Sequence, residues 1–265
     1  MTNIDTLDRL LLRADKDGIT TLTLNRPDKF NALSTGLMAV LQDELDAIAT
    51  DSAVRVVVIA GNGKAFCAGH DLKEMLASPD PATIGQLFSQ CSRLMLTITR
   101  LPQPVIARVH GIATAAGCQL VAQCDLAIAA DTATFATSGI GVGLFCGTPS
   151  VAVTRNLPRK KAMELLMTGE FIDADSACRF GLLNDVVPAD ELDNAIIRLA
   201  SRIAAKGPVF VSRGKQLFYT QLEHGLEAAY VQATECMVEN MQNAETQAGL
   251  RAFIDKKPMP DWSDR

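Results

Sequence analysis

Short apolar runs along the first half of the chain predict β-strands. Residues 21–24 alternate apolar and polar side chains with a period of two, which is typical of a half-buried strand. Residues 54–60, 105–109 and 126–130 are nearly continuous apolar runs, rich in β-branched or small side chains. Runs of this kind predict buried strands, as in a parallel sheet that helices cover.

Apolar side chains at helical spacing lie between these runs and after them. Ser34 is a predicted N-cap, and the helix after it presents Leu37, Leu41, Leu45 and Ile48 on one face. Beyond Pro188 the pattern is helical almost throughout, with a break at residues 206–208. Strands and helices in turn predict an α/β fold. Its core spans residues 1–205, and residues 206–265 form a helical C-terminal region too small to fold alone.

Composition and charge exclude several classes of partner. The net charge is −5, and no basic block extends beyond residues 159–161, which argues against nucleic acid. No apolar run approaches the roughly twenty residues that cross a membrane. The first residues carry aspartates and lack an uninterrupted apolar stretch. We therefore expect no secretory signal, no mitochondrial transit peptide and a cytoplasmic protein.

The cysteines and histidines show no disulfide or metal-ligand spacing. The seven cysteines are odd in number, contain no C-x-x-C pair and lie mostly in apolar runs. Free, buried thiols in a reducing compartment are expected. The histidines (His70, His110 and His224) form no zinc-binding motif, so we expect no metal.

Two loops after predicted strands hold the candidate chemistry, because ligand sites of α/β folds gather at strand ends. In residues 61–74, Asp71 is a predicted helix N-cap and Glu74 is expected to reach back to it. The backbone N–H of His70 then precedes a helix and is free to bind an anion. In residues 110–119, small residues lead into another helix start. Two such amides that converge would form an oxyanion hole.

Three blocks in fixed order resemble the crotonase (enoyl-CoA hydratase/isomerase) superfamily. They are N-R-P-x-x-x-N-A-L at residues 25–33, G-K-A-F-C-A-G-H-D-L at residues 63–72 and P-V-I-A-R-V-H-G-I-A-T-A-A-G-C-Q-L at residues 104–120. Residues 180–187 and the helical C-terminus extend the resemblance over nearly the whole chain. Each block alone is weak evidence, whereas the combination is specific.

The resemblance implies a fold and a ligand. The implied fold is a spiral of ββα units whose helical C-terminal region mediates trimer contacts, with two trimers commonly forming a hexamer. The implied ligand is an acyl-CoA thioester with no separate cofactor, its carbonyl held by the amides of His70 and Ala116. The substrate and CoA site predicted in this way comprises Lys29, Ala32, Ala68, Gly69, His70, Asp71, Leu72, Ala116, Gly117, Cys146, Phe253 and Lys256, with Lys257 as an alternative to Lys256.

The chain departs from the family pattern at two positions. Hydratases of the family use two glutamates to position and deprotonate water, and the matching positions here are Gln119 and Gly139. Glutamine keeps the shape of glutamate but exchanges no proton near neutral pH, and glycine offers no group. One general acid or base is worth on the order of 10²- to 10⁴-fold in rate. We therefore expect classical hydration to be very slow.

Other side chains are candidates for a replacement base. The His70 side chain is the first candidate, although a non-catalytic polar role is slightly favoured because the family requires only its amide. His110 is better explained as a hydrogen-bonded structural residue. Cys146 would need a histidine beside it to act as a nucleophile, so an inert pocket thiol is favoured. A structural role is expected for Asp125.

Three interpretations of function stay open. The chain is an enzyme that uses the oxyanion hole for isomerisation, decarboxylation or thioester cleavage; or it is a hydratase with a relocated base; or it is a non-catalytic protein that binds acyl-CoA. The first predicts turnover, the second predicts measurable water addition, and the third predicts binding without product.

Overall fold

The structure, a computed structural model, describes residues 10–262. The expectation about targeting segments therefore concerns residues that lie partly outside this range. The strands are β1 (Leu11–Lys16), β2 (Ile19–Leu24), β3 (Val56–Gly61), β4 (Ala65–Cys67), β5 (Val105–Val109), β6 (Ile112–Thr114), β7 (Leu126–Ala130), β8 (Thr134–Ala136), β9 (Ile172–Asp173) and β10 (Asp185–Val187). The α-helices are α1 (Thr35–Ala49), α2 (Leu72–Ala77), α3 (Pro81–Arg100), α4 (Ala116–Gln123), α5 (Gly147–Asn156), α6 (Arg159–Thr168), α7 (Ala174–Arg179), α8 (Leu192–Ala204), α9 (Pro208–Leu222), α10 (Leu226–Gln242) and α11 (Ala244–Ile254).

The strands form two sheets that successive ββα units share. The larger sheet has the order β1-β2-β3-β5-β7-β10, and the smaller has the order β4-β6-β8-β9. In three successive units the first strand (β3, β5, β7) joins the larger sheet and the second (β4, β6, β8) joins the smaller one. Within each set the strands are parallel. The predicted α/β spiral of ββα units is confirmed, and it brings the segments that follow β4, β6 and β8 close together.

The central strands of the larger sheet are buried on both faces, as their apolar runs predict. On β3, Val57 and Ile59 face the main core, whereas Val56 and Val58 pack toward α8. All four are at most 1% exposed. The strand begins at Val56, two residues later than the apolar run suggests. The N–H groups of Arg55 and Val56 both bond to the Gly18 carbonyl, and regular pairing with β2 starts only at Val56.

Helix α1 begins where its sequence predicts. The Ser34 hydroxyl accepts a hydrogen bond from the backbone N–H of Leu37 at 3.2 Å, which caps the helix. The buried face of α1 consists of Leu37, Met38, Leu41, Leu45 and Ile48. This face fixes α1 on the core, so the segment immediately before it is held in place beside the loop after β4.

A buried ion pair anchors the C-terminal helices to the core. On α9, the Lys215 ammonium lies 2.7 Å from a carboxylate oxygen of Asp125 and donates to the carbonyls of Ile98 and Gln103. The Tyr219 hydroxyl donates to the other oxygen of Asp125 at 2.8 Å. The structural role expected for Asp125 agrees with these contacts. The predicted break between α8 and α9 is also present, and the contacts of Lys215 attach α9 to the core, as expected of a region too small to fold alone.

Three further features bear on the sequence-based expectations. No helix within residues 10–262 is long and apolar enough to cross a membrane. Within the same range, no group of three or more histidine, cysteine, aspartate or glutamate side chains could hold a metal ion. All seven cysteines are free thiols; five are buried, whereas Cys178 and Cys236 are half-buried.

Candidate functional site

A largely apolar cavity lies between the loop after β4, the start of α4 and the segment that leads into α5. Its volume is about 390 Å³, which is within the range of small-molecule sites. The polar side chains in its lining are His70, Ser138, Cys146 and Thr148. No aspartate or glutamate of the described residues lines it. The cavity therefore suits an apolar group and offers no carboxylate as a general base.

The backbone amide of His70, a residue that lines this cavity, has no acceptor among the described residues. On either side of it, the Leu33 N–H donates to the Gly69 carbonyl at 2.7 Å, and the Asp71 N–H donates to the Leu33 carbonyl at 3.4 Å. This pairing uses the neighbouring groups and leaves the His70 N–H without an acceptor among the described residues. A donor held in this way is preorganised for an oxygen that carries negative charge.

The Ala116 amide is a second free donor on the same cavity. The loop before it is fixed by the Ala115 N–H, which donates to the Ala136 carbonyl at 3.0 Å. The first helical hydrogen bond of α4 runs from Gln119 N–H to the Ala115 carbonyl, also at 3.0 Å. As the first residue of α4, Ala116 has no helical acceptor, and none exists elsewhere in the described part of the chain. The structure thus brings both predicted oxyanion-hole residues to one cavity.

Two glycines allow the two loops to approach each other. A Cβ on Gly69, whose φ is +93°, would lie 2.9 Å from the Ala115 Cβ and 3.2 Å from the Ala116 nitrogen. A Cβ on Gly117 would lie 2.0 Å from the Cys67 carbonyl oxygen. Any side chain at either position would separate the loops, so the placement of the two amides depends on both glycines.

Ala115 stores backbone strain directly before the second amide. Its φ of 51° and ψ of −119° lie in a region that glycine adopts readily and alanine does not. Such a residue costs on the order of 1–3 kcal/mol.

We predict that Ala115→Gly raises the free energy of unfolding by about 1 kcal/mol, because relief of this strain exceeds the roughly 0.4–1 kcal/mol by which glycine favours the unfolded chain. Urea denaturation measures the change. A loss of stability instead would mean that the Cβ contacts of Ala115 outweigh the strain.

Asp71 caps α2 as predicted, but Glu74 does not reach back to it. One Asp71 carboxylate oxygen accepts from the backbone N–H groups of Lys73 and Glu74 at 3.2 and 3.4 Å. The other lies 3.0 Å from the Arg26 guanidinium. The Glu74 carboxylate instead accepts from the backbone N–H and the hydroxyl of Thr35. The capping-box prediction is therefore wrong, because the start of α1 lies close enough to compete for Glu74.

The Arg26–Asp71 pair has a consequence for stability at low pH. The hydrogen bond from Arg26 lowers the pKa of Asp71, with help from the amides of Glu74 and Lys73. A carboxylate with a lowered folded-state pKa contributes stability that is present above its unfolded pKa and is lost as pH falls through the folded pKa.

We expect Asp71→Asn to lower the free energy of unfolding at neutral pH by about 1.5–3 kcal/mol. The difference from the wild type should shrink as pH falls below about 4, where the unfolded-state carboxylate first takes up a proton, and should vanish as pH falls through the lower folded-state pKa of Asp71. Urea denaturation across this pH range tests it. A difference that stays constant with pH would show that the charge is not the cause.

The His70 side chain lines the cavity with its ring nitrogens buried. Its ring meets the Phe88 ring edge-on, with centroids 5.3 Å apart and planes at 84°. Both ring nitrogens are buried and make no hydrogen bond among the described residues. Burial lowers the pKa of His70, an effect that the Leu33 backbone and Glu74 partly offset. These contacts favour a neutral ring, which agrees with the non-catalytic role expected for it.

The Cys146 thiol fills the space beside Gly139. A Cβ on Gly139 would lie 2.5 Å from the Leu144 carbonyl oxygen and 2.9 Å from the Cys146 sulfur. Burial raises the pKa of Cys146, partly offset by the Gly139 N–H. A protonated thiol is a poor nucleophile, which agrees with the inert role expected for it. The backbone here has no room for a glutamate at position 139.

Gln119 lines a groove that adjoins this cavity, and Gly139 lines the cavity itself. It is 4% exposed and faces a neighbouring groove of about 900 Å³ between α3, α4, α5 and α9. Its side-chain oxygen makes no hydrogen bond among the described residues. Thr148 lines both spaces. The two positions that match the glutamates therefore lie on opposite sides of the boundary between cavity and groove.

The predicted binding residues fall into three groups. The segment with Lys29 and Ala32 lies beside the cavity, since the Ala68 N–H donates to the Phe30 carbonyl at 3.0 Å. Residues that line the cavity itself are Ala68, His70, Leu72, Ala116 and Cys146. Phe253 and Lys256 are exposed and do not line it.

Sequence reasoning missed Arg26 as a residue that shapes the site. Its guanidinium bonds to the Ala32 carbonyl at 2.6 Å and to Asp71 at 3.0 Å. It therefore ties the segment before α1 to the start of α2. Its place inside the first of the three sequence blocks was the available signal.

Comparison with known proteins supports the resemblance. Residues 14–265 match the family described as enoyl-CoA hydratase/isomerase. The rat enoyl-CoA hydratase domain-containing protein 3, mitochondrial, is 42% identical over 255 residues, which cover 96% of this chain and 85% of the rat protein. The crystal structure of an enoyl-CoA hydratase from Mycobacterium smegmatis is 53% identical with a TM-score of 0.94, over 96% of this chain and 99% of that one. The crystal structure of human enoyl-CoA hydratase domain-containing protein 3 is 42% identical with a TM-score of 0.92, over 95% of this chain and 100% of that one.

The predicted cytoplasmic location is contradicted by the same relatives. Proteins from rat, mouse, human and zebrafish that are 42–44% identical to this chain carry the word mitochondrial in their names. The prediction relied on the first residues of the chain, and residues 1–9 lie outside the described range. A core and a site of this kind do not encode a compartment, so the prediction is withdrawn.

The predicted family is confirmed by the match over residues 14–265, by relatives above 40% identity and by the same arrangement of ββα units. This chain belongs to the enoyl-CoA hydratase/isomerase (crotonase) family.

Proposed function

We propose that this protein binds an acyl-CoA thioester and stabilises its enolate in an oxyanion hole formed by the backbone N–H groups of His70 and Ala116. The observation that carries the proposal is that both amides lack protein acceptors and belong to residues lining one apolar cavity. A thioester carbonyl at this point would gain two hydrogen bonds that strengthen as its oxygen becomes negative. No further cofactor takes part in this proposal, because CoA enters as part of the substrate.

The lining of the cavity favours a reaction that needs no protein base. Hydration and isomerisation require a proton acceptor near the substrate, and neither the buried nitrogens of His70 nor the protonated thiol of Cys146 provides one. Loss of CO₂ from a malonyl-type thioester breaks a carbon–carbon bond and leaves its electron pair in the enolate. That enolate then takes a proton from water at its α-carbon. We therefore favour decarboxylation over hydration and isomerisation.

A panel of acyl-CoA thioesters tests the proposal. Saturated, 2-enoyl, 3-enoyl, 3-hydroxy and malonyl-type thioesters are mixed with the protein, binding is followed by calorimetry and products are identified by mass spectrometry. We expect binding throughout, CO₂ release from malonyl-type thioesters and very slow hydration of crotonyl-CoA. The bound carbonyl's infrared stretch should shift to lower frequency. Hydration at a rate typical of enzymes would overturn the argument from Gln119 and Gly139.

A second candidate function is acyl-CoA binding without catalysis. The observation that favours it is the lack of any carboxylate in the cavity lining. It predicts the same binding and the same carbonyl shift, but no product from any thioester in the panel. A hydratase with a relocated base is the weaker alternative, because the ring nitrogens of His70 are buried and burial raises the pKa of the Cys146 thiol.

We also propose that the protein assembles as a homotrimer or as a hexamer of two trimers. In the single chain, α10 has no buried residue, and its apolar side chains are half or more exposed at Leu226, Tyr230, Val231, Met237 and Val238. A patch of this extent is costly in water and favours association. Light scattering coupled to size-exclusion chromatography measures the state, and a monomer at micromolar concentration would contradict it.

A further inference from the structure

The groove beside Gln119 differs in chemistry from the apolar cavity. It lies between α3, α4, α5 and α9, and its volume is about 900 Å³. Its polar lining includes Arg100, Arg155, Gln216 and His224. Whereas the cavity suits hydrocarbon, this lining suits a ligand group that carries charge or accepts hydrogen bonds.

The charges in the groove favour an anion. Arg155 and Glu223 lie 3.6 Å apart and compensate each other. Arg100 has no carboxylate within ion-pair distance among residues 10–262. Glu223 is the only acidic residue of the described lining, so the two arginines leave the groove locally positive in a chain whose net charge is −5. A guanidinium is the side chain best matched to a carboxylate.

The groove begins where the cavity ends. Ala116 lines the cavity, and Gln119 lines the groove one helical turn later on α4, a separation of about 5 Å along the helix. Thr148 lines both spaces. The Gln119 side-chain oxygen makes no hydrogen bond in the described part of the chain, so rotation of the amide breaks no bond at that atom. A flexible chain that starts at the Ala116 amide therefore has a short path into the groove.

We propose that the groove receives the far end of the acyl chain and that Arg100 selects acyl groups ending in a carboxylate. This inference rests on the proposed binding of acyl-CoA thioesters. The apolar cavity would hold the chain next to the thioester, and the positive groove would hold its terminal carboxylate. The ligand class is then the mono-CoA thioesters of straight-chain dicarboxylic acids, of a length that spans both spaces. Because their terminal carboxylate is remote from the α-carbon, these ligands would bind without losing CO₂, which accords with the second candidate function.

Calorimetry with matched pairs of thioesters tests the inference. Each pair consists of a saturated acyl-CoA and the mono-CoA thioester of the dicarboxylic acid of equal length, in a graded series, with acetyl-CoA as the short reference. Above a threshold length we expect the carboxylated member to bind about 10-fold more tightly, since a hydrogen bond to a charged group has this effect or more. Arg100→Gln should abolish the preference and leave acetyl-CoA binding unchanged. Arg93→Gln, exposed on the same helix and outside the groove, is the matched control and should keep the preference.

The outcomes separate the two proposals. If acetyl-CoA binds but both members of every pair bind equally, or if Arg100→Gln keeps the preference, the inference about the groove is overturned and the proposed function stands. If neither acetyl-CoA nor any longer thioester binds, the proposed function itself is overturned.

Discussion

Replacement of Lys215 by methionine should lower the free energy of unfolding by about 3–5 kcal/mol, the cost of leaving one partner of a buried ion pair alone. The side chains of Lys215 and Asp125 are 6% and 13% exposed. Burial lowers the pKa of Lys215 and raises that of Asp125, which disfavours both charges. The opposite charge of the partner offsets part of each shift, so each group depends on the other to stay charged. The substitution would also remove the two hydrogen bonds that hold α9 to the carbonyls of Ile98 and Gln103. Urea denaturation measures the loss.

Two controls make this result specific. Lys160→Met changes an exposed lysine on α6 and should alter stability by no more than about 0.5 kcal/mol. The double variant Lys215→Met with Asp125→Leu should be more stable than Lys215→Met alone, because an apolar pair costs less than an isolated buried carboxylate. Full recovery is not expected, since the backbone N–H of Val105 also donates to Asp125. A Lys215→Met protein within about 1 kcal/mol of the wild type would contradict the anchoring role of the pair.

Gly117→Ala should destabilise the protein by about 3 kcal/mol or more and weaken acyl-CoA binding at the same time. The new methyl would lie 2.0 Å from the Cys67 carbonyl oxygen, and overpacking a fixed backbone contact costs about 1–3 kcal/mol or more. Relief of the contact requires α4 to move from β4. That movement would displace the Ala116 amide, one residue earlier, from its position in the cavity. Urea denaturation and calorimetry with acetyl-CoA measure the two effects.

Gly85→Ala is the matched control for that substitution. Gly85 lies exposed inside α3, and a Cβ there has no atom within 4 Å. Alanine favours a helix over glycine, so this variant should gain about 0.4–1 kcal/mol and bind acetyl-CoA like the wild type. If Gly117→Ala matched Gly85→Ala in both measurements, the contact between α4 and β4 would not be the close approach on which the site depends.

The sequence alone determined the elements whose signals are local. The apolar runs of β2, β5 and β7, the Ser34 cap of α1 and the Asp71 cap of α2 lie where the pattern predicts them. Helix caps and strand periodicity depend on residues close together in the chain, so both can be predicted from the sequence. The order of three motif blocks also predicted the family, which the comparisons confirm. The resemblance predicted the pair of residues His70 and Ala116, which line one cavity.

Only the tertiary structure decided how distant residues compete for the same space and the same hydrogen bonds. Glu74 bonds to Thr35 rather than to its own helix, Arg26 joins Asp71 to the segment before α1, and Lys215 pairs with Asp125 across 90 positions. The same holds for Gln119, which matches the position of a catalytic residue yet faces a different space from Gly139. A residue's type can be read from the sequence. The direction of its side chain and the nearest partner depend on the packing of elements that are far apart along the chain.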